Sequence, residues 1–220
     1  MIEPPFFMTI YGSPGSRKSH LIRHLLHQLH PKLDIIFVFS GSYFNGFYQQ
    51  FIDDDYVTAF SEDRLKRILH MAKDLKSCGI NKQFVLVFDD CLGSTNWNNK
   101  TFNYMVNNHR HYNISLIIVS QYAKKIPPNF RENSMYAIIF AQRSRDAFEA
   151  LYHSFGQDFS KLRDFKDFLT QHTAQYSALF IDNVTRSASN KHKSIRAPAQ
   201  VAPFRWRQKT TLASSHVNPY

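Results

Sequence analysis

The chain has 220 residues, 43% of them hydrophobic, and a net charge of +10. That length suits a single α/β domain with a sizeable buried core. It holds no apolar run of about eighteen residues that would cross a membrane. MIEPPFFMTI lacks the basic region of a secretory signal, and Cys78 and Cys91 fit a reducing compartment and form no metal-type pair.

In chain order, Phe6–Ile10 is an apolar strand that runs into Gly12-Ser13-Pro14-Gly15-Ser16-Arg17-Lys18-Ser19. This is a phosphate-binding G-x-x-x-x-G-K-[ST] loop with one departure, Arg17 where the motif has glycine. Such a loop turns backbone N–H groups inward, and the following helix adds its positive N-terminal end. In that role Lys18 reaches the β- and γ-phosphates and the Ser19 hydroxyl holds Mg²⁺. Ser19–His30 has Leu21, Ile22, Leu25, Leu26 and Leu29 at helical spacing, and Pro31 ends the helix. His20, His24 and His27 share that helix, and with no Cys or carboxylate among them they read as a polar face.

Asp34–Phe39 is a continuous apolar run suited to a strand buried on both faces. A loop rich in Gly, Asn and aromatics follows over Ser40–Tyr48, and Asp53-Asp54-Asp55 reads as a solvated turn. Ser61–Ser77 fits a helix capped by Ser61 and closed by Cys78-Gly79. Phe84–Asp90, five apolar residues ending in two carboxylates, matches a Walker B strand. Asp89 is placed for the Mg²⁺ shell, and Asp90 to orient or deprotonate the attacking water. Asn96–Arg110 is a further helix. Ile114–Gln121 is a buried strand whose terminal Gln121 can contact a γ-phosphate or the water.

Beyond it come a loop with a short helix over Lys124–Asn133, a strand over Met135–Phe140, helices over Ser144–Phe155 and Phe159–Leu169, and a last strand over Ala178–Asp182. Alternating strands and helices predict an α/β fold, a mostly parallel sheet with helices on both faces. Its ligand would sit at the carboxyl ends of the strands. Residues 1–182 form this core. Residues 183–220 carry Arg186, Lys191, Lys193, Arg196, Arg205, Arg207 and Lys209 with no acid, and are expected to be a mostly disordered tail. Its charge suits a polyanion such as DNA, or equally a solubilising or nuclear-import role. Phe204 and Trp206 would be free for base stacking or docking.

Loop, Asp-Asp strand and Gln-ending strand, in this order, resemble the FtsK/HerA superfamily of P-loop DNA-pumping ATPases, with its RecA/FtsK-like core. HRHYNISLIIVSQ followed by KKIPPNFRENSMYAIIF resembles the sensor segment of the poxvirus-type genome-packaging ATPases and their relatives in virophages and polinton-like viruses. The resemblance covers residues 5–182, and Arg17 departs from the family loop. It implies an ATP- and Mg²⁺-dependent motor that packages double-stranded DNA, as a homo-oligomeric ring of six or five subunits at a capsid or portal vertex, with no membrane. It also implies a location in the cytoplasm or nucleus of the infected cell, or with the virion. By the same resemblance Arg110 is the first candidate for an arginine finger supplied to a neighbouring subunit, with Arg143 and Arg131 as alternatives. Lys124 and Lys125 are candidates for the pore or DNA. Two other readings stand beside it: a phage-assembly export ATPase of the same superfamily, and a degenerate protein that binds nucleotide or DNA without hydrolysis.

Overall fold

The structure is a computed structural model that describes residues 2–91, 96–185 and 191–208. The elements are β1 (Phe7–Tyr11), α1 (Lys18–Leu29), β2 (Ile35–Ser40), β3 (Val57–Thr58), α2 (Glu62–Ser77), β4 (Phe84–Asp89), α3 (Lys100–Asn108), β5 (Ile114–Ser120), α4 (Pro128–Glu132), β6 (Tyr136–Phe140), α5 (Arg145–Phe155), α6 (Leu162–His172), β7 (Ala178–Asp182) and β8 (His192–Ile195). The strands make one sheet in the order β3-β2-β4-β5-β1-β6-β7-β8. The first six positions of that order are parallel, and β7 and β8 join antiparallel.

The unbroken apolar runs of β1, β2, β4, β5 and β6 are buried along their whole length because helices cover both faces. One face packs α2, α3, α5 and α6 through residues such as Leu65, Phe102, Leu151 and Phe165. The other packs α1 through its leucines and Ile22, together with Tyr48, Phe51 and Ile52 from the loop after β2. Each such fully buried side chain contributes about 1.5–3 kcal/mol.

Several helix ends follow the sequence directly. The Ser61 hydroxyl accepts from the Arg64 N–H at 3.3 Å, and Asn99 Oδ1 accepts from the Phe102 N–H at 2.8 Å. The Asn99 cap starts α3 at Lys100, later than the expected Asn96. α6 runs over Leu162–His172 rather than Phe159–Leu169, because Phe159 turns inward and packs its ring on Phe165 and Phe168.

The C-terminal region corrects the expectation of a disordered tail over the residues described. His192–Ile195 is the edge strand β8, in register with β7. Residues 196–208 then form a strap across α1. His20 Nε2 meets the Pro198 carbonyl at 2.8 Å, and Phe204 stacks on His30 and lies 5.1 Å from the Phe51 ring, centroid to centroid. Trp206 is 4% exposed, and its backbone N–H donates to the Phe51 carbonyl at 2.8 Å. Phe204 and Trp206 are therefore committed to the fold rather than offered for base stacking. Burying two aromatic rings outweighs the Pro- and Ser-rich, basic composition around them. Two of the basic residues are also paired within the fold, Lys191 with Asp158 at 2.6 Å and Arg205 with Asp53 at 3.2 Å. Arg186 and Lys209 lie outside the described residues.

Candidate nucleotide-binding site

β1 ends at the middle of the sheet and delivers the loop between β5 and β6. The Gly12 N–H donates to the Ser120 carbonyl at 3.2 Å. A side chain at Gly12 has no room, since a Cβ there would lie 2.6 Å from Ser16 Oγ and 2.9 Å from Phe140 Cβ. Arg17 takes φ 66°, ψ 27°, the left-handed conformation that the motif's glycine would adopt freely. A non-glycine there costs about 1–2 kcal/mol. Its guanidinium lies 4.3 Å from the centre of the Tyr176 ring, a contact that offsets about 0.5–1 kcal/mol of that cost. The departure from the motif thus keeps the loop's backbone path.

α1 opens with no side-chain cap, unlike α2, α3 and α5, and with no acid in its first turn, unlike α2 and α5. Its first N–H groups and positive end face whatever sits in the loop, a setting suited to phosphate. Ser16 Oγ is buried there without a hydrogen-bond partner, as expected of a group that meets a ligand oxygen. Lys18 Nζ donates to the Ser13 carbonyl at 2.8 Å, folded back over the loop. Burial lowers its pKa, and the charges of Asp89 and Asp90 oppose that shift.

β4 brings Asp89 beside α1. Its Oδ2 accepts from Ser19 Oγ at 3.0 Å and from the Tyr48 hydroxyl at 2.6 Å. Asp89 is 5% exposed, and burial raises its pKa against these two hydrogen bonds and Lys18. A buried carboxylate and a hydroxyl beside a lysine form an oxygen set that fits Mg²⁺. Asp90 turns out of the strand at φ 54° and is exposed, and Gln121 Nε2 donates to its Oδ1 at 3.2 Å. A strained acid at a strand end is the kind of outlier that clusters at functional sites. Gly41 makes it possible: a Cβ there would lie 2.1 Å from the Asp90 carbonyl oxygen. Cys91 packs behind, donating to the Phe39 carbonyl at 3.3 Å, and burial pushes its thiol up to about 12.

Lys18, Ser19, Asp89, Asp90 and Gln121, distant in sequence, therefore converge at the carboxyl ends of β1, β4 and β5. A family model described as the poxvirus A32 protein matches residues 1–195. The chain belongs to the poxvirus A32 protein family. It is 29% identical over 181 residues to the uncharacterized protein 088R of Invertebrate iridescent virus 3, covering 81% of this chain and 69% of that one. It is also 29% identical over 219 residues to the uncharacterized protein 015R of Frog virus 3, covering 94% and 67%. Its fold matches the genome packaging NTPase B204 of Sulfolobus turreted icosahedral virus 2, solved with ATP-γS, at a TM-score of 0.66. The identity there is 19%, over 90% of this chain and all of that one. The pCW3 conjugation coupling protein TcpA matches at a TM-score of 0.56 and 16% identity, over 88% of this chain and 60% of that one. The fold is that of a P-loop NTPase, as the resemblance implied.

The other residues of this A32-family chain fall in different places. Arg110 is exposed at the amino end of β5, which is seven residues, or about 23 Å, from the site's end of the sheet. It is not brought to the chain's own loop. Arg143 is exposed and follows β6 at the carboxyl side. Arg131 is buried, and its guanidinium donates to Ser154 Oγ and to the carbonyls of Ala123 and Ile126. It braces the fold with its Nε–H and Nη1–H groups, and at 7% exposed it is placed less openly than Arg110 or Arg143 to reach a neighbouring subunit. Lys124 pairs with Asp146 at 3.2 Å on the surface, and Lys125 is exposed. Tyr48 is the site residue that sequence reasoning missed. It lay in an aromatic-rich loop with nothing to mark it.

Proposed function

We propose that this chain is an Mg²⁺-dependent ATPase that drives double-stranded viral DNA into a capsid, working as a homo-oligomeric ring. The observation that carries the reading is the joined constellation of Lys18, Ser19 and Asp89 with Asp90 and Gln121 beside it. ATP places its β- and γ-phosphates in the loop, against the α1 N–H groups and Ser16. Lys18 exchanges the Ser13 carbonyl for phosphate oxygens. Ser19 and Asp89 hold Mg²⁺, which when bound supplies charge neutralisation at those oxygens. Asp90 takes a proton from the water that attacks the γ-phosphorus, and ADP departs with the electron pair of the broken P–O bond. Gln121, bonded to Asp90, orients that water and senses whether the γ-phosphate is present.

The family membership, the B204 and TcpA folds and the intact charged residues support this reading. A decayed site would be free to lose them. Ring closure would let each subunit offer an arginine to its neighbour. Arg110 is proposed for that role and Arg143 is the alternative, since both are exposed. The motor step is tested by displacement of a triplex-forming oligonucleotide from linear duplex DNA. ATP is expected to drive displacement with the wild type and not with Asp90→Asn. Displacement that is independent of ATP, or its absence beside vigorous hydrolysis, would sink the translocation reading and leave an ATPase of another use.

A further inference from the structure

The loop divides the site into two flanks. Asp89 lies on the β4 flank. On the other flank the carboxyl end of β6 meets β7 and β8, with Phe140 paired to Ala178 and Ala178 to Ile195. Together with Leu21 these form an apolar floor beside the loop, and Arg17, Tyr176 and Arg196 rim it. Tyr176 stands there by an unusual backbone, since Gln175 and Tyr176 both take positive φ, 52° and 63°. Two successive strained non-glycine residues persist only where the surroundings hold them, and such strain concentrates at ligand sites. The ring so placed is 54% exposed, and one face is covered by the Arg17 guanidinium. With that cation in place the pocket has about 10 Å³ of room, enough for one water.

We propose that this flank is the nucleobase subsite of the nucleotide, a deepening that rests on the loop being an ATP site. A triphosphate whose γ end faces Asp89 and Asp90 runs through the loop toward β6, so its base arrives over the β6–β8 floor. The Arg17 guanidinium marks a ring face that accepts a flat delocalised group. The base takes that place on Tyr176, and the guanidinium swings aside. Leu21, Phe140 and Ile195 shield the base from water, while Arg196, delivered by β8, faces its polar edge. A concave apolar floor with a few polar rim groups is the usual form of such a site.

Binding of Mg²⁺-ATP and of Mg²⁺-tripolyphosphate, which has no base, is measured by titration calorimetry on the wild type, Tyr176→Ala and Tyr176→Phe. Loss of base stacking is expected to weaken ATP binding about tenfold in Tyr176→Ala, with tripolyphosphate unchanged and Tyr176→Phe close to the wild type. Equal weakening of both ligands would show that Tyr176 only props Arg17 and the loop, and would overturn the subsite. No change for either ligand would overturn it too. A wild type that binds tripolyphosphate as tightly as ATP would overturn the base subsite alone, whereas one that binds neither would overturn the ATP-site reading with it.

Discussion

The two flanks of the phosphate loop are built on opposite plans. On the β4 flank the metal side of the site is buried and bonded together, as Asp89 shows with Ser19 and Tyr48 on a single oxygen, while Asp90 turns outward beside it. On the β6–β8 flank the groups are exposed and stand on strained backbone, as Tyr176 shows with Arg17 lying across it. The difference suits the work each flank would do. Displacement at phosphorus needs charges fixed within a fraction of an ångström before the reaction starts. Reading a base needs a surface that opens and closes. The C-terminal strap joins the two flanks, leaving β8 on one side, crossing α1, and ending with Trp206 hydrogen-bonded to Phe51 in the loop that carries Tyr48.

The largest effect is expected from emptying the ring's seat at the end of that strap. Trp206→Ala removes a buried indole and is expected to lower stability by about 3 kcal/mol, read from the urea midpoint at unchanged slope. If the strap also seats Tyr48, the same variant needs more Mg²⁺ for turnover, and a normal Mg²⁺ requirement would confine the strap to stability. Next comes Tyr48→Phe, which keeps the ring and deletes the donor to Asp89. Removal of a bond that orients a metal ligand typically costs 10- to 100-fold in metal affinity. About tenfold more Mg²⁺ is therefore expected for half-maximal hydrolysis, with the KM for ATP at saturating Mg²⁺ little changed. An unchanged Mg²⁺ curve would show that the β4 flank does not depend on its buried hydroxyl.

The smallest effect concerns Cys91 behind Asp89. Burial pushes its thiol up to about 12, so little thiolate exists at pH 8, while Cys78 is exposed. A native titration with a disulfide reagent at pH 8 is expected to label one thiol per chain, and two after unfolding. Rapid labelling of both in the native protein would mean that the β4 flank opens readily.

The β4 flank was largely legible in the sequence. Apolar runs that end in Asp89-Asp90 and in Gln121 announce buried strands with polar tips, and Lys18-Ser19 follows its strand at the motif's spacing. The partner of Asp89 was not legible, because the Tyr48 hydroxyl reaches it only after the loop beyond β2 folds under α1, 41 residues away in the chain. The other flank gave still less. Positive φ at Gln175 and Tyr176 has no glycine to announce it, and Arg17 hid a glycine-like backbone behind an arginine. The strap was misjudged because charge and proline describe its average composition, whereas Phe204 and Trp206 decide its place. Arg131 shows the same limit from the other side. An arginine in a polar loop reads as solvated until the fold supplies three acceptors around it.

The constellation around Asp89 and Asp90 is proposed to hydrolyse ATP with Arg17 in the loop. It is tested most directly by phosphate release from Mg²⁺-ATP by the purified chain, with and without linear duplex DNA, beside Lys18→Ala and Asp90→Asn. Mg²⁺-dependent turnover is expected, raised by DNA and reduced about 100-fold or more in both variants. Turnover that survives in both variants, or a wild type that binds no ATP at all, would contradict it.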